Sequence, residues 1–389
     1  MADSPAPRSA SLVKVTAGTG PLALSKRRFP NAPPAFLLRL VLWLYTKAKA
    51  LVSRLAPAEL ILFEMTTGIG KAHAIGATAR FGIPDLLEKR GPLAAKDIAT
   101  TLGLHADAVH RTLRGLASTG VYEMHFDGRF ANNRISRALT DGRLTQSKEW
   151  ALYFCSDSNA AAWANFDHSL KTGESAFTAV HKKNVWEHFD EHPHEREMFA
   201  RAMMGITTVD APVIASLYPF REAKIVCDVG GGRGTLLSEV LLRHRHLKGI
   251  LAENEGVLAS ARIVRQERGL ESRMELVASN FFESVPEGAD HYMMKNILHD
   301  WDDVTCIKIL TTVRRAMKKG DKLIVCESLV ERLSRDPLGT LADLQMMIAC
   351  ERGRERSLDE FQRLFRAAGL AYRRRFAFPT TNVLEAELI

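Results

Sequence analysis

The chain reads as two parts: an α/β C-terminal part on a parallel sheet, and a mainly helical N-terminal part that ends in a small hairpin. Three observations predict this. Residues 221–389 alternate short apolar strands with amphipathic helices, the pattern of a parallel sheet covered on both faces. The first of those strands, Ile225–Val229, runs into Gly230-Gly231-Gly232-Arg233-Gly234 and then a helical stretch from Thr235. Residues 95–131 place two short helices, a glycine turn and two β-prone runs in the order helix–turn–helix–hairpin, each with its own turn signal.

In chain order, residues 1–57 are expected to be a tail and an apolar helix. Residues 1–34 are rich in Ser, Ala, Pro and Gly without a period, the composition of a mobile tail. Residues 36–54 are strongly apolar and helical in pattern. Their basic residues are too few for a firm membrane-surface helix, so packing on a partner subunit is expected. Residues 58–150 form a small helical domain. One helix ends and another begins around Gly82-Ile83-Pro84, Gly103 sits in the turn of a helix–turn–helix, and Asp127-Gly128 closes a hairpin. This is a winged-helix pattern, which can bind DNA. Its second helix carries His105, Asp107, His110, Arg111 and Arg114, a mixed rather than densely basic face, and a structural or dimerising role is expected.

Residues 151–220 read as a helical linker. Trp163, Phe166, Trp186, Phe189, Phe199, Met203 and Met204 recur there at helical spacings. They suit core packing, or the wall of a pocket for a flat apolar ligand. In residues 221–389 strands are expected at Ile225–Val229, 249–252, 274–277, His291–Lys295 and 322–326, with a final pair near 372–378. Val304, Ile307, Leu310, Val313 and Met317 make one helical stripe. Ser357 and Glu360 form a capping box that opens a helix burying Leu358, Phe361, Leu364 and Phe365.

Composition narrows the partners. With 46% hydrophobic and 25% charged residues, the chain can bury a sizeable core. Its net charge is +8, with basic runs at Lys26-Arg27-Arg28, around Arg352, Arg354 and Arg356, and at Arg373-Arg374-Arg375. No aromatics interleave with these runs as a base-stacking surface requires, so a nucleic-acid partner is not expected. The five cysteines, Cys155, Cys227, Cys306, Cys326 and Cys350, include no C-x-x-C pair, which fits reduced thiols in the cytoplasm. No run approaches the ~18 apolar residues of a membrane span, and no apolar h-region follows a basic start.

Ligands of open α/β sheets sit at the C-terminal ends of the strands. The glycine turn lies at the first such end. Glycines there allow close backbone approach, and the helix that follows presents unpaired N–H groups. At the second end Glu253 could accept two hydrogen bonds from a ribose diol. Ser279-Asn280-Phe281-Phe282 lies after the third, His299-Asp300-Trp301 after the fourth and Glu327 after the fifth. These features alone do not separate a dinucleotide site from an adenosyl one. No His/Asp cluster stands at metal-ligand spacing, so no metal is expected.

One further observation does separate them. The glycine turn with Glu253, then Phe281-Phe282, Lys295-Asn296-Ile297-Leu298-His299-Asp300-Trp301, Glu327, Asp343-Leu344-Gln345-Met346-Met347 and Arg354-Glu355-Arg356-Ser357 occur in one order. This order resembles the S-adenosylmethionine-dependent small-molecule O-methyltransferases, the plant caffeate and isoflavone type and their bacterial polyketide-tailoring relatives. The resemblance spans residues 58–380. It implies a class I methyltransferase (Rossmann-like) C-terminal domain, a winged-helix dimerisation domain and a homodimer. It also implies S-adenosylmethionine as donor with S-adenosylhomocysteine as product, and no metal.

By the same resemblance Asp228, Gly230, Gly231, Gly232, Gly234, Glu253, Asn280, Phe281, Lys295 and Trp301 would surround the cofactor. Glu253 would hold the ribose, and Asn280 and Phe281 would lie by the adenine. His299 would take the proton from the acceptor hydroxyl, with Glu327 and Glu355 orienting it. Trp163, Phe166, Met203, Met204, Asp300, Met346 and Met347 would surround an aromatic or polyketide-like acceptor with a phenolic or related hydroxyl. Glu253 and Asn280 stand where the family usually has Asp, Ser279 stands for Gly, and Asn254-Glu255-Gly256 lacks the usual Leu-Pro. Relatives that keep fold and cofactor but hydroxylate or pericyclise make non-methylating chemistry the alternative, and a winged-helix regulator of nucleic acid is the remaining one.

The proton transfer poses a physical condition. A phenol titrates near ~10 and an imidazole near ~6.5. Neutral His299 is then a competent base only if the proton moves as the oxygen attacks, or if carboxylates stabilise the imidazolium.

Overall fold

The computed structural model describes residues 29, 35–334, 337–378 and 380–389. Apart from Phe29, the expected tail 1–34 and its basic run Lys26-Arg27-Arg28 lie outside the described residues. At Phe29 the tail reading is corrected. Its ring is buried beneath the Arg268 guanidinium, 4.3 Å from the centroid. Its N–H donates to Glu239 Oε2 at 2.9 Å.

Helix α1 (Ala35–Leu55) precedes Pro57, which occupies the N-cap of α2 (Ala58–Arg80). Gly82, left-handed at φ 69°, turns the chain into α3 (Ile83–Arg90). Helices α4 (Ala95–Leu102) and α5 (Ala106–Ser118) flank Gly103, left-handed at φ 67°. The hairpin β1 (Tyr122–Met124) and β2 (Phe130–Asn132) pairs antiparallel. Ile98, Leu113 and Phe130 are fully buried in the core that these helices and the hairpin share. Described apolar side chains of α1 and early α2, including Trp43, Leu44, Leu51, Phe63 and Met65, are exposed in the single chain.

Six helices follow: α6 (Ser147–Phe154), α7 (Asp157–Ala164), α8 (Phe166–Thr172), α9 (Ala176–His181), α10 (Val185–Glu191) and α11 (Pro193–Leu217). The boundary expected at 150 falls inside α6. Helix α11 is long and apolar enough to cross a membrane by length and composition alone. Its most apolar window is 56% buried within the protein, as befits a core helix.

The remaining elements are β3 (Ile225–Val229), α12 (Thr235–Arg243), β4 (Lys248–Glu253), α13 (Glu255–Arg268), β5 (Met274–Ala278) and β6 (His291–Lys295), then α14 (Asp303–Ala316), β7 (Lys322–Glu327), α15 (Pro337–Ala349), α16 (Leu358–Ala367), β8 (Leu370–Ala377) and β9 (Asn382–Leu388). The seven strands run in the order β5-β4-β3-β6-β7-β9-β8. Strand β9 is antiparallel to both neighbours, so the sheet is mixed at one edge rather than wholly parallel. Alternate residues feed opposite layers: Val226, Met293 and Ile324 one side, Cys227, Met294 and Val325 the other. The chain reverses direction of build at β3, which lies between β4 and β6, and this switch point opens the crevice where ligands bind.

The expected stripe on α14 is out of phase at its start. Val304 is exposed, whereas Cys306, Ile309, Leu310, Val313 and Ala316 are buried. Asp302 caps the helix by accepting the Thr305 N–H at 2.8 Å, and that start puts Val304 about 200° around from Cys306. The capping box at Ser357 and Glu360 forms as expected, and Phe361, Leu364 and Phe365 are buried.

Candidate active site

The glycine turn is shaped by what surrounds it. Gly230 has φ 67°, and a Cβ there would lie 2.8 Å from Ile297 Cδ1 and 3.4 Å from Phe281 Cε1. At Gly231 a Cβ would meet the Asp228 carboxyl at 2.5 Å. Gly232 faces open space, and its N–H donates to Glu253 Oε2 at 2.8 Å. Gly234, also left-handed, is the N-cap of α12.

Beneath the turn Asp228 is 1% exposed, and neither carboxyl oxygen has a hydrogen-bond partner. Burial, and then the charge of Glu253, push its pKa up to about 7. A buried acid without partners is costly unless a ligand answers it. Lys295, at the end of β6, places Nζ 3.1 Å from Asp210 Oδ2 on α11, with both side chains buried. Glu253 accepts the Gly232 N–H on one oxygen and the Asn254 N–H, at 2.7 Å, on the other. Each oxygen keeps a second lone pair. Burial raises the pKa of Glu253.

Asn280 is exposed, and its amide is engaged by its own turn. Oδ1 accepts the Phe282 N–H at 3.1 Å and Nδ2 donates to Glu283 at 3.0 Å. Phe281 lies beside Gly230. Phe282 meets Trp301 edge to face at 4.9 Å, and Trp301 stacks on Trp186 at 6.2 Å.

His299 sits among three acids. Its Nδ1 is 3.0 Å from Glu355 Oε1 and 3.4 Å from Glu327 Oε2, and its Nε2 is 3.6 Å from Asp300 Oδ1. Glu327 and Glu355 are almost fully buried, and His299 is 13% exposed. Burial alone would lower the imidazole pKa. Glu327, Asp300 and Glu355 outweigh it and raise the pKa to about 10. Burial, opposed by His299, pushes both Glu327 and Asp300 up to about 6. The three carboxylates therefore favour the charged imidazolium in the free protein.

The sequence showed no cluster at metal-ligand spacing. The fold makes one, because ligand-type atoms of His299, Glu327 and Glu355 lie within 4.8 Å of one another. Strand ends and loops bring together residues that are far apart in the chain.

The loop carrying His299 is pinned from two sides. Glu327 Oε1 accepts the N–H groups of Ile297 and Leu298 at 3.0 and 2.9 Å. Arg356 is fully buried. It donates to the carbonyls of Leu298 and Trp301 at 2.7 and 2.6 Å and to Asp303 at 2.9 Å. The Arg354 N–H donates to the His299 carbonyl at 2.8 Å. Sequence reasoning placed Arg356 in a basic surface run, and its buried role is a correction. Gly353 was also missed: a Cβ there would come 2.8 Å from the His299 carbonyl. The adjacency of Arg356 to Glu355 was the available signal.

Among the helices of residues 151–217, Trp163 and Phe166 stack in parallel at 5.9 Å. Trp163 Nε1 donates to Gln345 Oε1 at 2.9 Å, and Gln345 donates to Asn159 at 2.9 Å. Met203 and Met346 border a cluster containing Tyr153, Phe177, Phe189 and Met198. Met347 is half-buried on α15, and Met204 is buried. Asp300 Oδ1 accepts from Cys350 Sγ at 3.6 Å. Tyr153 was not singled out from sequence, since a lone Tyr carries no motif, and Gln345, named there only as part of the Asp343–Met347 run, was given no role.

A family model of the O-methyltransferase domain matches residues 163–371, and one of the O-methyltransferase dimerisation domain matches residues 63–142. The mitomycin biosynthesis 6-O-methyltransferase of Streptomyces lavendulae is 35% identical over 320 residues, 82% of this chain and 91% of that protein. The solved mitomycin 7-O-methyltransferase MmcR is 33% identical and superposes with a TM-score of 0.81 over 88% of this chain and all of that one. An O-methyltransferase from neocarzinostatin biosynthesis, solved with S-adenosylmethionine and 2-hydroxy-5-methyl naphthoic acid, is 28% identical with a TM-score of 0.72, covering 82% of this chain and 96% of that one. With matched models over both parts and this identity along most of its length, the chain belongs to the O-methyltransferase family.

Proposed function

We propose that the protein transfers a methyl group from S-adenosylmethionine to a phenolic hydroxyl of an aromatic or polyketide-like specialised metabolite, with His299 as the base. The observation that carries this reading is the His299 environment. Three carboxylates raise the imidazole pKa to about 10, close to the ~10 of a phenol. Proton transfer between the two is then nearly balanced, which meets the condition that sequence reasoning set.

The residues present fit the donor. The unpartnered Asp228 carboxylate suits a cationic end. The glycine turn admits close approach, and Glu253 keeps lone pairs for a diol. When bound, S-adenosylmethionine supplies a methyl group already activated on a sulfonium, so the chain has only to align an oxygen and take a proton. Glu355 accepts the Nδ1 proton and fixes the tautomer, leaving Nε2 for the acceptor hydroxyl. Glu327 adds charge and fixes the His299 loop. Asp300, Trp163, Phe166, Met203 and Met346 bound the acceptor side. The free enzyme carries one proton too many, because both imidazole and phenol are protonated at neutral pH. One proton therefore leaves to water as the productive complex forms.

In this reading residues 58–150 form the dimerisation domain, 151–220 a helical linker to the acceptor pocket and 221–389 the catalytic domain, with residues 1–57 outside that core. Two copies form a homodimer. The five described cysteines are all free and buried, in keeping with a cytoplasmic enzyme. The test is incubation with methyl-labelled S-adenosylmethionine and a panel of phenols, repeated with His299→Ala. Label in a phenol product that the variant makes at least ~100-fold more slowly supports the assignment. Full activity in the variant removes His299 as base, and products formed without consuming the donor favour non-methylating chemistry.

A further inference from the structure

Helix α11 is tied to the cofactor crevice at two separate points. Near its start Glu197 pairs with Arg233 inside the glycine turn. Arg201, one turn along, holds the other Glu197 oxygen at 2.8 Å. Burial would raise the pKa of Glu197, but Arg233 and Arg201 hold it below the usual carboxylate range. About three and a half turns beyond Glu197, Asp210 Oδ2 lies 3.1 Å from Lys295 Nζ. The same helix presents Phe199 and Met203 to the aromatic and methionine cluster of the acceptor side. One helix, with Pro212 in its interior, therefore touches the glycine turn, the end of β6 and the acceptor wall.

The charges around its second tie are unbalanced. Asp210, Lys295 and Asp228 hold two acids for one base, and the Asp228 carboxyl has no partner. Lys295 acts on both acids, since its charge also favours ionised Asp228. A ligand with a cationic end at the glycine turn would answer Asp228 directly and leave Lys295 to Asp210, which tightens the second tie.

We propose that α11 is a clamp whose position is set by the occupant of the glycine turn through Glu197–Arg233 and Asp210–Lys295, so that cofactor binding orders the acceptor wall. Glu197 and Asp210 are positioning residues in this scheme. It rests on the S-adenosylmethionine reading, and the experiment separates the two.

The full chain is titrated calorimetrically with S-adenosylhomocysteine, and amide hydrogen exchange is followed with and without it, for wild type and for Glu197→Gln with Asp210→Asn. In wild type the ligand slows exchange about tenfold both at residues 229–236 and at residues 196–211. In the double variant protection at 229–236 remains while that at 196–211 falls below about twofold. Pairing Glu197→Arg with Arg233→Glu restores part of it. Undiminished α11 protection in the variant overturns the clamp, as does wild-type binding that leaves α11 exchange unchanged. Absence of binding in wild type overturns the cofactor reading and the clamp with it. If the double variant melts prematurely, Glu197→Gln alone decides, because its side chain is 43% exposed at the rim.

Discussion

The raised pKa of His299 makes a prediction about pH. If the free enzyme holds an imidazolium that titrates near 10, kcat/KM for a phenol must climb about tenfold per pH unit through neutrality and level off near pH 10. Glu327→Gln removes the carboxylate that contributes most to the raise. At 3.4 Å and an effective dielectric of about 20, that charge is worth about 5 kcal/mol. Relaxation and the dipole of the new amide offset roughly half, leaving on the order of a hundredfold loss in proton affinity at ~1.4 kcal/mol per tenfold. The bend in the profile should therefore move from about pH 10 to about pH 8. The plateau should also fall, because a weaker base takes the proton less readily. The assay is transfer of labelled methyl over pH 6–10 at subsaturating acceptor. A wild-type profile that is flat from pH 7 to 9, or a variant profile with an unmoved bend, would refute the reasoning.

Four further outcomes are expected. Asp228 has a folded pKa of about 7, above its ordinary value, so the folded state binds the proton more tightly and stability falls as pH rises from about 4 to 7. Asp228→Asn should then stabilise the ligand-free protein at pH 8 by on the order of 2 kcal/mol after the cost of an unpaired amide while weakening S-adenosylmethionine binding; urea melts and calorimetry check both. Arg356→Lys strands the Leu298 and Trp301 carbonyls and should cost about 3 kcal/mol in chemical denaturation, with activity lost in parallel. Gly230→Ala should abolish S-adenosylhomocysteine binding by calorimetry without altering the far-ultraviolet circular dichroism, since its Cβ would meet Ile297 and φ is 67°. Deleting residues 1–55 should shift the monomer–dimer equilibrium at least about tenfold toward monomer in sedimentation, and an unchanged dimer would show that α1 covers nothing in the partner.

The strands of the catalytic part were legible because each is a short apolar run closed by a glycine, an acid or a turn, and Ile225–Val229 and His291–Lys295 agree at both ends. The final pair was not: both strands were expected near 372–378, where β8 alone lies, and the antiparallel β9 follows it at Asn382–Leu388. Residues 382–388 alternate like any strand, and direction depends on pairing rather than local pattern. The phase of α14 failed for a related reason. Val304 continues an apolar series in sequence, but the cap at Asp302 decides which face meets the sheet. At Phe29 a tail composition hid a single aromatic that a buried Arg268–Glu239 pair holds.

In the candidate site, what was legible lay beside a motif and what was hidden lay across the fold. Glu355 stands 56 residues from His299 in the chain, and the two meet at 3.0 Å. Sequence order could raise that pairing only through resemblance, and it could not weigh the three carboxylates against burial. That balance decides the chemistry. Burial of a lone histidine would lower its pKa and leave a weak, neutral base, whereas the same burial of Glu327 and Glu355 beside it strengthens their pull. Arg356 was misread for a parallel reason. A charge in a basic run is by default solvated, and only the fold shows that the Leu298 and Trp301 carbonyls need it. If the balance at His299 is as described, removing Glu327 should change the pH at which the enzyme works as well as its rate, a pairing that loss of loop rigidity alone would not produce.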